Sequence, residues 1–163
     1  MANHKLILDD DLGEEFSLIA IHCSEEAYKM AYLLNKQLSL QLHRRNVDLD
    51  FSENGLDISF PLFEFENHTN YTTYFLVANK HKSAMAHTSS SGSLFGNEIQ
   101  EEVVTTYLLP EYKKVDFFLK IISERGVVSE KKIVAQLNDI QQIISAYSIH
   151  KEAIKSSHNL IFD

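Results

Sequence analysis

One stretch decides how this chain folds: Leu108-Leu109-Pro110-Glu111-Tyr112-Lys113-Lys114-Val115-Asp116-Phe117-Phe118. It joins an apolar run at 103–109 to a second apolar run at 117–122. Pro110 stands at the break, where a residue without a backbone N–H disturbs a strand least. We therefore interpret the stretch as a turn between two neighbouring strands. The residues predicted to point into the core on one face are Val115, Phe117, Leu119 and Ile121.

The same stretch permits a helical interpretation. Pro110 suits the first position of a helix, and Gly126 would end it. The residues that would then share one face are Tyr112, Val115, Leu119 and Ile122. The alternation after Val115 favours the strand, and whether 110–125 is strand or helix stays open at this point.

The length and composition are those of an acidic domain of ordinary size. A chain of 163 residues is long enough for one domain with a proper core, so we expect a single domain over residues 1–163. The sequence has 15 Lys and Arg against 23 Asp and Glu, for a net charge of −8. Nucleic-acid binding is disfavoured, because it needs clustered cations to displace counterions from phosphates.

The sequence also predicts a cytoplasmic location. Cys23 is the only cysteine, which excludes an internal disulfide and a cysteine-based zinc cluster. The first residues lack the apolar region of a signal peptide. No apolar run approaches the roughly 20 residues that a membrane span requires, so no membrane association is expected.

Periodicity predicts the elements of the first half. Phe16 to Ile21 is typical of a buried strand, and Ser24 resembles the N-cap of a long helix that continues to about Leu40. The apolar stripe of that helix consists of Ala27, Met30, Ala31, Leu34 and Leu38. Three strands are predicted next, at 42–51, 56–65 and 71–78, with an Asn54-Gly55 turn between the first two. Pro61 indicates an edge strand or a bulge.

The second half is predicted to contain a flexible loop and a crossover. Residues 81–100 include a run of small polar residues and are interpreted as a mobile surface loop. A short helix beginning at Ser129 would link the strand at 115–121 to a last strand at 143–149. This arrangement is a βαβ unit with parallel strands. The predicted fold is therefore α+β: a mostly antiparallel sheet with one long N-terminal helix, one short C-terminal helix and a C-terminal βαβ unit.

Two short segments carry a family resemblance. Leu109-Pro110-Glu111 followed by Val115-Asp116-Phe117 resembles the signature I-P-E-x-x-x-V-D-Y of the IPExxxVDY family of Bacteroidota proteins. Leu replaces Ile and Phe replaces Tyr, so the tyrosine hydroxyl is lost. Further similar segments are 5–9, 31–36, 70–74 and 159–162. The resemblance spans most of the chain and marks Pro110, Glu111, Val115, Asp116 and Phe117, but it implies no activity, cofactor or partner.

Glu111 and Asp116 are the candidate pair for acid and base chemistry. Flanking a tight hairpin, they would converge near its mouth. The competing interpretation is structural: Glu111 accepts hydrogen bonds from turn amides, and Asp116 pairs with Lys113, Lys114 or a cation from another strand. The structural interpretation is favoured, because the sequence places no third group to activate a nucleophile or bind a metal.

Other candidates have simpler explanations. His22 and Cys23 are adjacent on a strand and point to opposite faces, so Cys23 is expected to be a small core residue. Residues 9–11 with Glu14 and Glu15 lack the spacing of a calcium loop and are expected to form a solvated turn. No metal and no cofactor are predicted.

These observations favour a small non-enzymatic module that binds a partner or regulates it. The partner would be another protein, and a homo-oligomer is possible. A small-molecule-binding protein or minor enzyme with a pocket near Glu111 and Asp116 is the alternative. An RNA-associated accessory protein is the third option, and the acidic charge makes it the least favoured.

Overall fold

A computed structural model describes residues 14–53, 55–88, 99–126 and 128–162, without the side chains of 85–88 and 99–101. Strands account for 45% and helices for 24% of the structure. The strands are β1 Phe16–Cys23, β2 His43–Arg44, β3 Leu49–Glu53, β4 Leu56–Phe60, β5 Leu62–Asn67, β6 Thr72–Ala78, β7 Lys80–Thr88, β8 Ile99–Tyr107, β9 Phe117–Ser123 and β10 Ile143–Ile149. The α-helices are α1 Ala27–Leu38 and α2 Glu130–Asn138, and three short 3-10 helices span Pro110–Tyr112, Lys151–Ala153 and Ser157–Leu160.

Six strands form one sheet in the order β10-β1-β9-β6-β5-β2, and every neighbouring pair is antiparallel. Two separate antiparallel ribbons, β3–β4 and β7–β8, complete the described part of the fold. The class is therefore α+β in broad terms, but richer in sheet than predicted.

The sheet is covered on both faces. One apolar cluster packs between the sheet and the two helices, α1 and α2. A second cluster lies on the other face, beneath the β3–β4 ribbon and the segment at 150–162, which we call the tail segment. Strand β9 serves both clusters: Phe117, Leu119 and Ile121 face the helices, and Phe118 faces the second cluster.

The prediction of a long N-terminal helix is wrong. Helix α1 has 12 residues, and its N-cap is Glu26, not Ser24. It stops at Ser39, which has the left-handed φ of 54° that ends a helix. The predicted apolar stripe is confirmed, since Met30, Ala31 and Leu34 are buried against the sheet.

The C-terminal βαβ prediction also needs correction. Helix α2 does link β9 to β10, but β1 lies between these two strands and pairs antiparallel with both. Residues 18–21 of β1 are almost fully buried, so their backbone groups need partners on both sides. Insertion of β1 between β9 and β10 provides those partners. The structure of 110–125 is a single 3-10 turn at Pro110–Tyr112, followed by a strand that begins at Phe117. The prediction that this turn joins two neighbouring strands is wrong, because β8 belongs to the β7–β8 ribbon and β9 to the main sheet.

Pro61 separates two sheets. The predicted strand at 56–65 is in fact β4 in the ribbon and β5 in the main sheet, with Pro61 between them. Gly55 has a φ of +77°, as expected in the predicted hairpin turn. Residues 81–88 and 99–100 of the predicted loop are strands, and its remainder at 89–98 lies outside the described residues. Within the described ranges, no helix is long and apolar enough to cross a membrane.

Candidate functional site

Asn79 lies at the centre of residues 108–118, which we call the organising stretch. It is completely buried just after β6. Its side-chain Oδ1 accepts a hydrogen bond from the Leu109 N–H at 2.9 Å, and its Nδ2 donates to the carbonyls of Tyr112 at 2.8 Å and Val115 at 3.0 Å. Its backbone N–H donates to the Asp116 carbonyl, and its carbonyl accepts from the Leu108 N–H. Asn79 thus forms hydrogen bonds with both ends of the turn through its side chain and its backbone.

Glu111 fastens the tail segment to this turn. Its Oε1 accepts hydrogen bonds from the backbone N–H groups of Lys155 and Ser156, both at 2.8 Å. Its Oε2 accepts from the Ser156 hydroxyl at 3.0 Å. Partial burial raises the pKa of Glu111, but these hydrogen bonds and one from its own N–H outweigh burial and lower the pKa from its ordinary value of 4.5.

Asp116 faces a different set of partners. Its Oδ2 accepts from the Cys23 N–H at 3.0 Å, and its Oδ1 pairs with the Lys80 ammonium at 2.8 Å. Lys80 begins β7, so it is a cation from another strand, as the structural interpretation allows. The carboxylate closes the end of β1 and does not share a partner with Glu111.

The remaining signature residues either pack in the core or begin a secondary-structure element. Val115 and Phe117 are buried, Val115 in the second cluster and Phe117 in the first. Pro110 is the first residue of the 3-10 turn and is exposed. The prediction that Val115 shares the inward face of Phe117 is therefore wrong, because Val115 precedes the strand and points into the opposite cluster.

The side chains of Cys23 and His22 have separate partners and do not form a nucleophile–base pair. The Cys23 thiol is buried and donates to the Gln142 carbonyl at 3.3 Å. Burial raises its pKa, and the negative charges of Glu25 and Asp116 add to that effect. His22 instead contacts the Tyr147 hydroxyl through Nε2 at 3.1 Å. Cys23 is a core residue, as expected.

Lys120 is a buried cation that the sequence analysis did not identify. It lies on the central strand β9, only 3% exposed, and its ammonium donates to the Leu160 carbonyl at 2.9 Å and pairs with Glu14 at 3.1 Å. Three phenylalanine rings surround the ammonium with centroids 5.0 to 5.9 Å away: Phe16, Phe75 and Phe162. Lys120 therefore attaches the tail segment to the sheet through the Leu160 carbonyl and the Phe162 ring. Residues 9–11, considered with Glu14 and Glu15 for cation binding, lie outside the described residues.

A groove opens beside Pro110, between the β3–β4 ribbon and strand β8. Its inner cavity, about 360 Å³, is lined by Phe51, Ser52, Glu53, Ile58, Phe60, Thr106, Tyr107, Leu108, Pro110, Ser156, His158 and Asn159. An adjoining outer cavity of about 320 Å³ is lined by Glu53, Leu56, Ile58, Val104, Thr105, Thr106, Tyr107, Pro110 and Lys113. Five residues line both cavities, so we treat them as one feature, the ribbon groove. Neither Glu111 nor Asp116 lines it.

A larger cavity of about 490 Å³ lies at the other end of the sheet. Its walls include Glu15, Glu124 and Glu130, and the Ser17 hydroxyl donates to Glu130 at 2.7 Å. In the part of the chain that the structure describes, no group of His, Cys, Asp or Glu is arranged to hold a metal ion.

Comparison with family models, curated proteins and solved structures gives no match. The function therefore has to be argued from the geometry above.

Sequence reasoning missed Asn79, Lys120 and the ribbon groove. Asn79 has a weak signal, since it is a polar residue directly after the apolar strand 74–78. Lys120 has a similar one, because it interrupts the apolar run at 117–122. The groove has none, because its walls come from separate parts of the chain.

Proposed function

We propose that this protein is a non-enzymatic module that binds an extended peptide segment of another protein in the ribbon groove. The observation that carries this proposal is the edge of β8 that pairs with no strand among the described residues. Four consecutive residues, 104–107, line the outer cavity. Successive side chains of a strand point to opposite faces, so a lining by consecutive residues supports a strand whose main-chain edge faces the groove.

The groove matches the chemistry of strand addition. Within the described residues, β8 pairs with β7 alone, so its other edge has main-chain groups available for a partner. Residues 103–107 carry no charge and would not repel an incoming backbone. Phe51, Phe60 and Tyr107 line the inner cavity and provide an apolar pocket for one bulky side chain. Main-chain pairing and one anchoring pocket together describe a common mode of peptide recognition.

The outer edge of β10 is a poorer binding surface. The side-chain amide of Asn138 donates to the Ala146 carbonyl and accepts from its N–H, both at 2.9 Å. A bulge beside it leaves Ile144 outside the register with β1. Both features protect a sheet edge against further strands, which leaves β8 as the better site.

The contacts of the signature support a non-enzymatic role. Glu111 uses both carboxylate oxygens on the tail segment, and Asp116 uses both on Cys23 and Lys80. Membership of the IPExxxVDY family and a cytosolic location remain parts of this proposal. In such a family, the signature would be selected for the turn that it builds.

Peptide selection from a random library, followed by calorimetry, tests the proposal. Thr106→Arg places a long cation in the groove and should weaken the selected peptide at least tenfold. Val103→Arg is the matched control, since Val103 is 63% exposed on the same strand and does not line the groove. Its affinity should stay within twofold of wild type. Equal affinity of wild type and Thr106→Arg, or a library that yields no binder, would refute peptide binding in the groove.

A small-molecule ligand is the second candidate. The inner cavity of about 360 Å³ lies in the size range of ligand pockets. It combines aromatic walls with the polar side chains of Glu53, Thr106 and His158. Binding of small aromatic compounds without any peptide binding would favour this function.

A further inference from the structure

We propose that Glu111 is a positioning residue that sets the shape of the inner end of the ribbon groove. This inference rests on the proposed function, because it concerns the site to which a ligand would bind. Glu111 lines neither cavity of the groove, yet Pro110 before it and Ser156 bonded to it both line the inner one. The carboxylate therefore lies directly behind the cavity wall that Ser156 helps to form.

That wall belongs to the tail segment. Ser156, His158 and Asn159 close the inner cavity opposite the β3–β4 ribbon. Three hydrogen bonds of 2.8 to 3.0 Å fasten Lys155 and Ser156 to the Glu111 carboxylate. Farther along, the Asn159 side chain donates to the Leu108 carbonyl at 2.8 Å. The wall is thus attached at one end to Glu111 and at the other to the start of the organising stretch.

A carboxylate suits this position better than an amide does. The three tail-segment groups that contact Glu111 all donate to it, and a carboxylate is acceptor-only, so both of its oxygens can satisfy them. A glutamine would offer one uncharged oxygen to the two N–H groups and its NH₂ group to the Ser156 hydroxyl, and hydrogen bonds to a charged carboxylate are roughly twice as strong as these neutral ones. Glu111→Gln should therefore release the wall at Ser156 while leaving the apolar core of the protein in place.

Asp116→Asn is the matched control. It makes the same carboxylate-to-amide change five residues away, but its partners are Cys23 and Lys80, which do not line the groove. A merely structural role would make the two variants equivalent. A positioning role would make only Glu111→Gln affect the groove.

The test uses backbone amide NMR spectra of the full-length chain with indole as the probe, together with calorimetry of any selected peptide. In Glu111→Gln, the amide signals of Ser156, His158 and Asn159 should shift, and indole should bind at least fivefold more weakly than to wild type. In Asp116→Asn, these signals and the indole affinity should stay close to wild type.

The outcomes separate this inference from the proposed function. If wild type binds indole in the groove but no peptide, peptide binding fails, and the loss of indole affinity in Glu111→Gln alone still supports positioning. If Glu111→Gln binds indole as wild type does, or if both variants weaken it equally, positioning is wrong. Absence of indole binding to wild type would also overturn it, because the groove would then contain no binding site for Glu111 to shape.

Discussion

At the scale of the residue, two side chains explain most of the organising stretch. Asn79 satisfies the polar groups inside the turn, and Glu111 satisfies those of the tail segment across from it. The sequence predicted that Glu111 would bond turn amides, but those amides belong to residues 44 and 45 positions later in the chain. A contact at that separation leaves no periodic signal, so neither the partners of Glu111 nor the role of Asn79 could be predicted from local patterns.

Glu111 gives the protein a measurable pH dependence. Its pKa is lower in the folded protein than the ordinary value of 4.5, so the unfolded chain binds the proton more tightly. Its stabilising contribution is complete above the ordinary pKa and is lost as the pH falls through the lowered pKa. Urea unfolding between pH 7 and pH 3 should show Glu111→Gln destabilised by about 1–2 kcal/mol at pH 7.

That difference from wild type should shrink as the pH falls through the lowered pKa of Glu111. The exposed tail-segment residue Glu152 provides the control, since Glu152→Gln should follow the wild-type profile at every pH. A constant difference between Glu111→Gln and wild type across the whole range would contradict the assignment.

At the scale of the element, the sequence predicted which segments form strands and helices better than it predicted which strands lie side by side. The strand at 16–21, the stripe of α1, the hairpin at Gly55 and the strand at 143–149 are all present. The order of strands was not predictable, because β1 finds β9 and β10 through pairings about 100 residues or more apart. Pro61 was recognised as a disturbance, but only the fold shows that the chain changes sheets there.

The edge of β10 provides a prediction at this scale. Asn138→Ala removes the amide that satisfies both backbone groups of Ala146. Hydrogen exchange at the Ala146 amide should accelerate about fivefold, which corresponds to a loss of roughly 1 kcal/mol.

Gln141→Ala is the control for this edge, because Gln141 is exposed and its side chain makes no hydrogen bond to any residue that the structure describes. It should leave the Ala146 amide as protected as in wild type. Unchanged exchange in Asn138→Ala would show that the amide does not protect the strand edge.

At the scale of the whole molecule, a sheet covered on both faces explains the contacts that hold its covering segments in place. The first face is closed by two helices, as the apolar stripes predicted, and the second by a ribbon and an irregular tail segment. The tail segment buries Ile154, Leu160 and Phe162 in the second cluster, and polar contacts fix the irregular backbone between them. Glu111, Asn159 and Lys120 supply those contacts. Their positions could not be inferred from hydrophobic periodicity, because the tail segment has none.

Thermal unfolding of Glu111→Gln and Asp116→Asn, followed by circular dichroism at pH 7, tests the central claim most directly. Both carboxylates accept backbone hydrogen bonds within the fold, so each variant should lose about 1–2 kcal/mol of stability. For a domain of this size, the melting temperature should fall by about 3–6 °C in each, while Glu152→Gln melts as wild type does. Wild-type melting of both signature variants would contradict the account and would return the two carboxylates to the list of groups available for binding or catalysis.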